Sequence, residues 1–353
     1  MTDHPSGFES QPQMLHAATP VYAQPAAPPR RGWGVFRALF IVFLVLGMFA
    51  VLFVGGILGI AGMFAGSSED RIEEHHFSGN ASSQDKIAIV SVEDLIIDSS
   101  ARRVIKQLKK ARKDEHVKAV VLKVDSPGGT INASDHIHRE VLKLLRDPES
   151  HKPVIVSMQG LAASGGYYIS APADAIFAEP TTMTGSIGVI ASFPNVAGLM
   201  KRFDVQWEVI KTGPHKDAGS PFREMTDEER QRWGEIIGDA FDRFLDIVAE
   251  GRSMDRDKVK ELATGDVYTA KEAVQRGLID GIGYLEDAVA AAEKKAGVTD
   301  AHVIEYKRVL DLSELLFGQT AAGKQAVQID LESLLRANVP RVMYLTQGPM
   351  IGL

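Results

Sequence analysis

Ala38 to Ala65 is a run of 28 residues without one charged or polar side chain. As a helix it would extend about 42 Å against a hydrocarbon core of about 30 Å, so it is long enough to span a bilayer with some tilt. A cleavable export signal carries an apolar core of about 7 to 15 residues near the amino terminus, whereas this run is longer and preceded by 37 residues. It therefore reads as a retained anchor. Arg30, Arg31 and Arg37 lie before it and Glu69, Asp70, Glu73 and Glu74 after it. That asymmetry predicts a single-pass protein of the cell membrane, with a cytoplasmic amino terminus and an extracytoplasmic body. Gly55 and Gly59 have the Gly-x-x-x-Gly spacing that lets two anchors pack, but glycine is common in such helices and the pair carries little weight alone.

The remaining organisation follows from composition and period. Residues 1–30 are rich in Pro, Ala and Gln without apolar periodicity and predict a disordered tail. Residues 31–66 hold the anchor and 67–85 read as a polar linker. From 86 to 310, short apolar runs (Ile87 to Val92, Ala119 to Val124, Val154 to Met158) alternate with amphipathic stretches (Ala101 to Lys113, Ser134 to Leu145). That is a βαβ rhythm, and it predicts an α/β body with a mainly parallel sheet covered by helices. Thr226 to Glu229 is a capping box that opens a helix to about Glu250. Thr269 to Gly277 predicts a helix closed by glycine, with Leu278 to Asp280 as a final strand. In residues 311–353 we expect a helix over Asp330 to Arg336 and an extended segment from Pro340 to Leu345.

Several function classes are excluded early. A net charge of −7 argues against a general nucleic-acid binder. The chain has no cysteine, which removes thiol nucleophiles, thiolate zinc sites and disulfides together. No His-Glu-x-x-His occurs, so a zinc peptidase is not indicated and neither metal nor cofactor is expected.

What the body does carry is a serine among small residues. Ser164 sits in Gly160-Leu-Ala-Ala-Ser164-Gly165-Gly166, and Lys216 follows 52 residues later in His215-Lys216-Asp217-Ala218-Gly219-Ser220. A serine hydroxyl needs a base to take its proton and backbone donors to hold the oxyanion. Gly165 can supply one N–H. The second can come from Gly128 or Gly129 in Asp125-Ser126-Pro127-Gly128-Gly129, a loop leaving an apolar strand. Each motif alone is more often an ordinary turn, and most lysines are solvated surface charges. A lysine acting as base must be neutral, which means lowering its pKa from about 10.4 to about 7 by burial among apolar groups. The histidines nearest the motifs are His136, His138 and His215. The first two fall in a predicted helix, where a solvated or capping role is the ordinary expectation, and no Gly-x-Ser-x-Gly elbow surrounds Ser164. A carboxylate beside the lysine would oppose its loss of a proton, so Asp125 reads as structural.

Taken in order, Val124 to Gly129, Gly160 to Tyr168, Thr184 to Val189, Lys216 to Met225 and Tyr268 to Gly283 resemble the signal peptide peptidase A family in its short bacterial form. The likeness covers Lys86 to about Ile304. The resemblance implies the repeated ββα fold of the Clp-protease and crotonase superfamily and a serine endopeptidase with a Ser-Lys dyad. It implies Ser164 as nucleophile, Lys216 as general base, Ser186 as the hydroxyl orienting the lysine, and Gly129 and Gly165 as oxyanion donors. It further implies apolar signal-peptide remnants as substrates, work at the lipid bilayer, and homo-oligomerisation. Three other readings stand beside it: a protease of the same superfamily that cuts one integral protein, a crotonase-type acyl-CoA enzyme, and a catalytically silent membrane scaffold.

Overall fold

A computed structural model of the chain describes residues 37–49, 51–52, 72–149, 151–308 and 343–345. The chain divides into two compact units, Met1–Gly66 and Ser67–Leu353.

In the first unit, residues 37–49 and 51–52 are helical and form α1. Its large apolar side chains, Leu39 through Leu52, are all 42–75% exposed. Among the described residues, no helix is long and apolar enough to cross a membrane. The predicted tail, the Gly55–Gly59 pair and most of the anchor's second half lie outside the described residues, as does the helix expected over Asp330 to Arg336.

The second unit is built on nine strands in one mixed sheet: β1 Ile72–Gly79, β2 Lys86–Glu93, β3 Val117–Ser126, β5 Val154–Ala163, β6 Ala175–Ala178, β7 Met183–Gly185, β8 Val267–Thr269, β9 Gly281–Ile282 and β10 His302–Arg308. Their spatial order is β1-β10-β2-β3-β5-β6-β9, with β7 beside β5 and β8 beside β7. The centre is parallel throughout, from β10 to β9, and only β1 and β8 run antiparallel to their neighbours. The pleat sends alternate residues to opposite faces. Ile87, Ile89, Ala119, Val121 and Ile155 pack with Ala288 and Ala292 of helix α9, Leu285–Ala296. Ala88, Val90, Val120, Leu122, Val124, Val156 and Met158 point the other way. There they meet α2 Asp98–Lys113, α3 Ile131–Arg146 and α4 Gly165–Ser170. With helices on both faces, the middle of these strands is buried on both sides, and the sequence shows mostly apolar runs there.

Past the central strands the chain makes an excursion of little regular structure from 190 to 225, containing the short helix α5 Ala197–Arg202. It returns through α6 Asp227–Gly251, α7 Arg256–Leu262 and α8 Ala270–Gln275. The capping box at Thr226 forms as the sequence predicts, and a second forms at Thr269, each hydroxyl accepting the N–H of the glutamate three residues on.

Two expectations need correction. Part of the supposed linker, Ile72–Gly79, is strand β1, held antiparallel to β10 and tied by Glu74 to Lys86 at 2.8 Å and Lys110 at 3.1 Å. An edge strand with one partner buries little, so its composition imitates a linker. Leu278 to Asp280 is turn rather than strand, and the two-residue strand β9 begins at Gly281. The Gly277 backbone at φ +74 ends the helix as expected. The extended segment expected near the carboxyl end is present as β11, Met343–Leu345, which pairs with β4, Gly128–Thr130.

Candidate active site

Ser164 stands at the junction of β5 and α4, where its backbone takes φ +53 and ψ −111. A non-glycine residue in that region is strained, and such strain persists only where surrounding bonds enforce it. They do so here: the Ser164 N–H donates to the Gly185 carbonyl at 2.7 Å and its own carbonyl accepts the Tyr168 N–H at 2.8 Å. The side chain is 1% exposed, and its Oγ has no hydrogen-bond partner among the described residues. A buried hydroxyl left unbonded costs about 1–3 kcal/mol, so its retention calls for an explanation.

Strand register brings Ser186 alongside. Ala163 of β5 pairs with Gly185 of β7, so the next residues of each, Ser164 and Ser186, leave the sheet together. Ser186 also has positive φ, +47, is 7% exposed, and donates its N–H to Asp266 at 2.7 Å.

The loop of Gly128 and Gly129 is fixed by a residue the sequence reading passed over. Ser126 Oγ donates to the Asp94 carbonyl at 2.5 Å and accepts the Gly128 N–H at 3.1 Å. That spends the Gly128 donor. On one side β4 is tied to Ile96, which donates to Gly128 O and accepts from Thr130 N, both at 2.9 Å. Gly129, between them, therefore turns its N–H to the other side. Only glycine fits at 129, since a Cβ there would lie 1.9 Å from the Ile96 carbonyl oxygen. Gly165 lies against the same loop: a Cβ on it would meet Ser134 Oγ at 2.7 Å, Gly128 Cα at 3.0 Å and Gly129 N at 3.1 Å. Ser164, Gly165, Ser186 and Gly129 thus converge, while Asp125, exposed, accepts the Leu161 N–H at 3.1 Å and serves the backbone.

Lys216 is placed differently. It lies in a turn, exposed, its N–H donating to Gly213 at 3.3 Å, and it does not bond Ser164 Oγ within the chain. The turn is anchored by its neighbour. Asp217 accepts Lys211 Nζ at 2.6 Å and Arg223 Nε at 3.0 Å, and Arg223 bridges onward to Glu229 at 2.9 Å, at the head of α6. Hydrogen bonds from Arg223 and then Lys211 hold the Asp217 carboxyl well below the usual carboxylate range. Apolar side chains stand exposed around this excursion, including Phe203, Trp207 and Ile210. A cleft of about 660 Å³ between Phe193, Arg223, Trp233 and Ile237 reaches neither Ser164 nor Lys216.

His136 is exposed, as expected, and so is His215, but His138 is not: it is 3% exposed, packed edge-on against Tyr168 at 5.3 Å. Its spacing with Ser134, Ile137 and Val141 along α3, all buried, is the signal that places it on the core face.

The sequence profile of peptidase family S49 matches residues 146–299, and that of the Clp proteases matches 74–186. A protein of Enterococcus faecium, provisionally named signal peptide peptidase SppA, is 42% identical over 260 residues, 70% of this chain and 74% of that protein. A provisionally named protease of Methanocaldococcus jannaschii is 40% identical over 220 residues, covering 62% of this chain and 69% of its own. Protease 4 of Haemophilus influenzae is 38% identical over 232 residues, 64% of this chain but 36% of that longer protein.

Proposed function

The chain belongs to peptidase family S49 and is a serine protease, and from that premise we propose that it is a membrane-anchored endopeptidase in which Ser164 is the nucleophile and Lys216 the base. The observation that carries the assignment is Ser164 itself: buried, strained, at the head of a helix, with an unbonded Oγ beside Gly129 and Gly165. Lys216 takes the Ser164 proton as Oγ attacks a peptide carbonyl, and the N–H groups of Gly129 and Gly165 hold the oxyanion. Lys216 then protonates the leaving amine and activates the water that hydrolyses the ester. Ser186, leaving the sheet next to Ser164, orients the lysine.

Lys216 must be covered to act, since an ammonium in water holds its proton. We assign that step to assembly of copies of the chain, which would bury the exposed apolar residues flanking the Lys216 turn. Exposed apolar side chains over the whole described length of α1 support anchoring in lipid. With the anchor only a few residues before the body in the sequence, apolar signal-peptide remnants are the substrates we propose, in keeping with the name of the Enterococcus relative.

The test is cleavage of an apolar signal peptide by the full chain in detergent. Ser164→Ala and Lys216→Ala should each lose activity by about 10³-fold or more while staying folded. If each site takes its lysine from a neighbouring copy, an equimolar reassembled mixture of the two recovers about a quarter of wild-type activity, the fraction of sites pairing an intact serine with a neighbour's intact lysine; if serine and lysine come from one copy, it recovers none. Full activity of Lys216→Ala would remove the dyad.

A further inference from the structure

Among the described residues, two buried serine hydroxyls have no hydrogen-bond partner, Ser164 Oγ and Ser134 Oγ. The first is the proposed nucleophile. The second plays no part in the proposed chemistry, yet it stands at the same place. Ser134 is the fourth residue of α3 and shares that helix's core face with Ile137, His138 and Val141. It is 0% exposed. A serine inside a helix and away from water ordinarily turns its hydroxyl back to the carbonyl four residues earlier, here that of Thr130, and this one does not. Side chains on a helix lean toward its amino end, which for α3 is the strand β4 that it follows. There Ser134 Oγ meets Gly165: a Cβ on Gly165 would lie 2.7 Å from that oxygen and 3.1 Å from the Gly129 nitrogen. The unbonded hydroxyl is thus gathered at one point with both residues whose N–H groups are assigned to the oxyanion.

Packing alone does not account for a serine there. Alanine would fill the position nearly as well and would avoid the folding cost of an unmatched buried hydroxyl. A donor left unbonded in the resting protein has one advantage: it is free to bond a charge that exists only during reaction. A hydroxyl hydrogen turns about its C–O bond, so it reaches toward that charge without any movement of the backbone. We propose that Ser134 is a third oxyanion donor, its O–H bonding the carbonyl oxygen of the scissile peptide as negative charge builds there, beside the N–H groups of Gly129 and Gly165. This rests on the assignment of Ser164 as nucleophile. Ser134 gives up no proton. Its O–H donates a hydrogen bond when Ser164 Oγ adds to the carbonyl carbon, and releases it when the carbonyl re-forms and the amine leaves. The same bond is made and released again as water adds to the acyl-enzyme and Ser164 departs.

Full-length wild type, Ser164→Ala, Ser134→Ala and Ser134→Cys are assayed in detergent with an apolar signal peptide. Each active protein is also titrated with a peptide aldehyde built on the residues before the cut, which forms a tetrahedral adduct with a nucleophilic serine. Ser134→Ala should lose about 100-fold in kcat with KM unchanged. It should bind the aldehyde more weakly by about the same factor, because the adduct carries the oxygen of the transition state, and it should unfold at no lower temperature than wild type. Ser134→Cys, which fills the position but donates weakly, should be nearly as slow. Wild-type kcat and aldehyde affinity in Ser134→Ala overturn the inference and leave the peptidase assignment standing. Full activity of Ser134→Cys overturns it too, since filling the space would then suffice. So does a fall in kcat that comes with a lowered unfolding temperature and an unchanged aldehyde affinity, the mark of a packing role. Should wild type cut no peptide, or Ser164→Ala cut as fast as wild type, the nucleophile assignment fails and the third donor fails with it.

Discussion

Acid should loosen the wall behind Ser164 through one buried histidine. The His138 ring lies edge-on to Tyr168, whose own ring packs 5.1 Å from Phe244. Tyr168 sits four residues beyond Ser164 in the helix that Ser164 heads. Burial pushes His138 down to about 4, with opposed smaller contributions from Asp135, Arg243, Arg146 and Glu250. An unfolded histidine titrates near about 6.5. Above that pH neither state binds the proton and stability is intact. Between about 6.5 and 4 the unfolded chain takes up a proton that the folded chain refuses, so stability falls with pH, and the loss is complete below about 4. Integrated from pH 7.5 to 5, the loss from this one group is about 2 kcal/mol. The perturbation is His138→Gln, which cannot titrate. Urea unfolding of the Ser67–Leu353 unit, followed by circular dichroism at both pH values, should show wild type losing about 2 kcal/mol more than the variant. Equal losses in the two proteins would refute the reasoning, because every other titrating group is common to both.

Two further outcomes follow from the site. Gly165→Ala places a methyl 3.0–3.1 Å from the backbone of Gly128 and Gly129 and against Ser134 Oγ, so kcat/KM should fall at least about 100-fold, the cost of spoiling an oxyanion donor; near wild-type turnover would show that Gly165 is not in the oxyanion region. Arg223→Ala removes the cation shared by Asp217 and Glu229, freeing the Lys216 turn, and should lower kcat about tenfold or more. Arg223→Lys should recover little, since an ammonium cannot serve two carboxylates as a guanidinium fork does; full recovery would show that charge alone suffices.

The strands β2, β3 and β5 were legible because both faces of each are buried, which forces mostly apolar runs into the sequence. The capping box at Thr226 was legible because its bond partners lie within one turn. Strand β1 was not, since its register with β10 depends on residues more than 200 positions away and its outward side chains are polar. The difference between Gly128, whose N–H is held by the Ser126 hydroxyl, and Gly129 also lay outside any local pattern, because those bonds are set by the tertiary fold. His138 could have been placed by the helical stripe of Ser134, Ile137 and Val141, but a histidine among polar neighbours reads as solvated until the whole face is counted.

The two halves of the chemistry are built to different standards of rigidity, and that difference bears on control. Ser164, Ser186 and Gly129 emerge from paired strand ends, each fixed by backbone bonds of 2.7–3.1 Å around it. Lys216 sits on an exposed turn whose attachment runs through the chain Asp217, Arg223, Glu229. A rigid nucleophile without its base is inert, because a serine hydroxyl alone attacks a peptide too slowly to matter. On the proposed assignment of Lys216 as base, seating the lysine is then the condition for cleavage. Covering Lys216 should therefore raise kcat and leave KM little changed, because it acts on proton transfer and not on the backbone groups around Ser164.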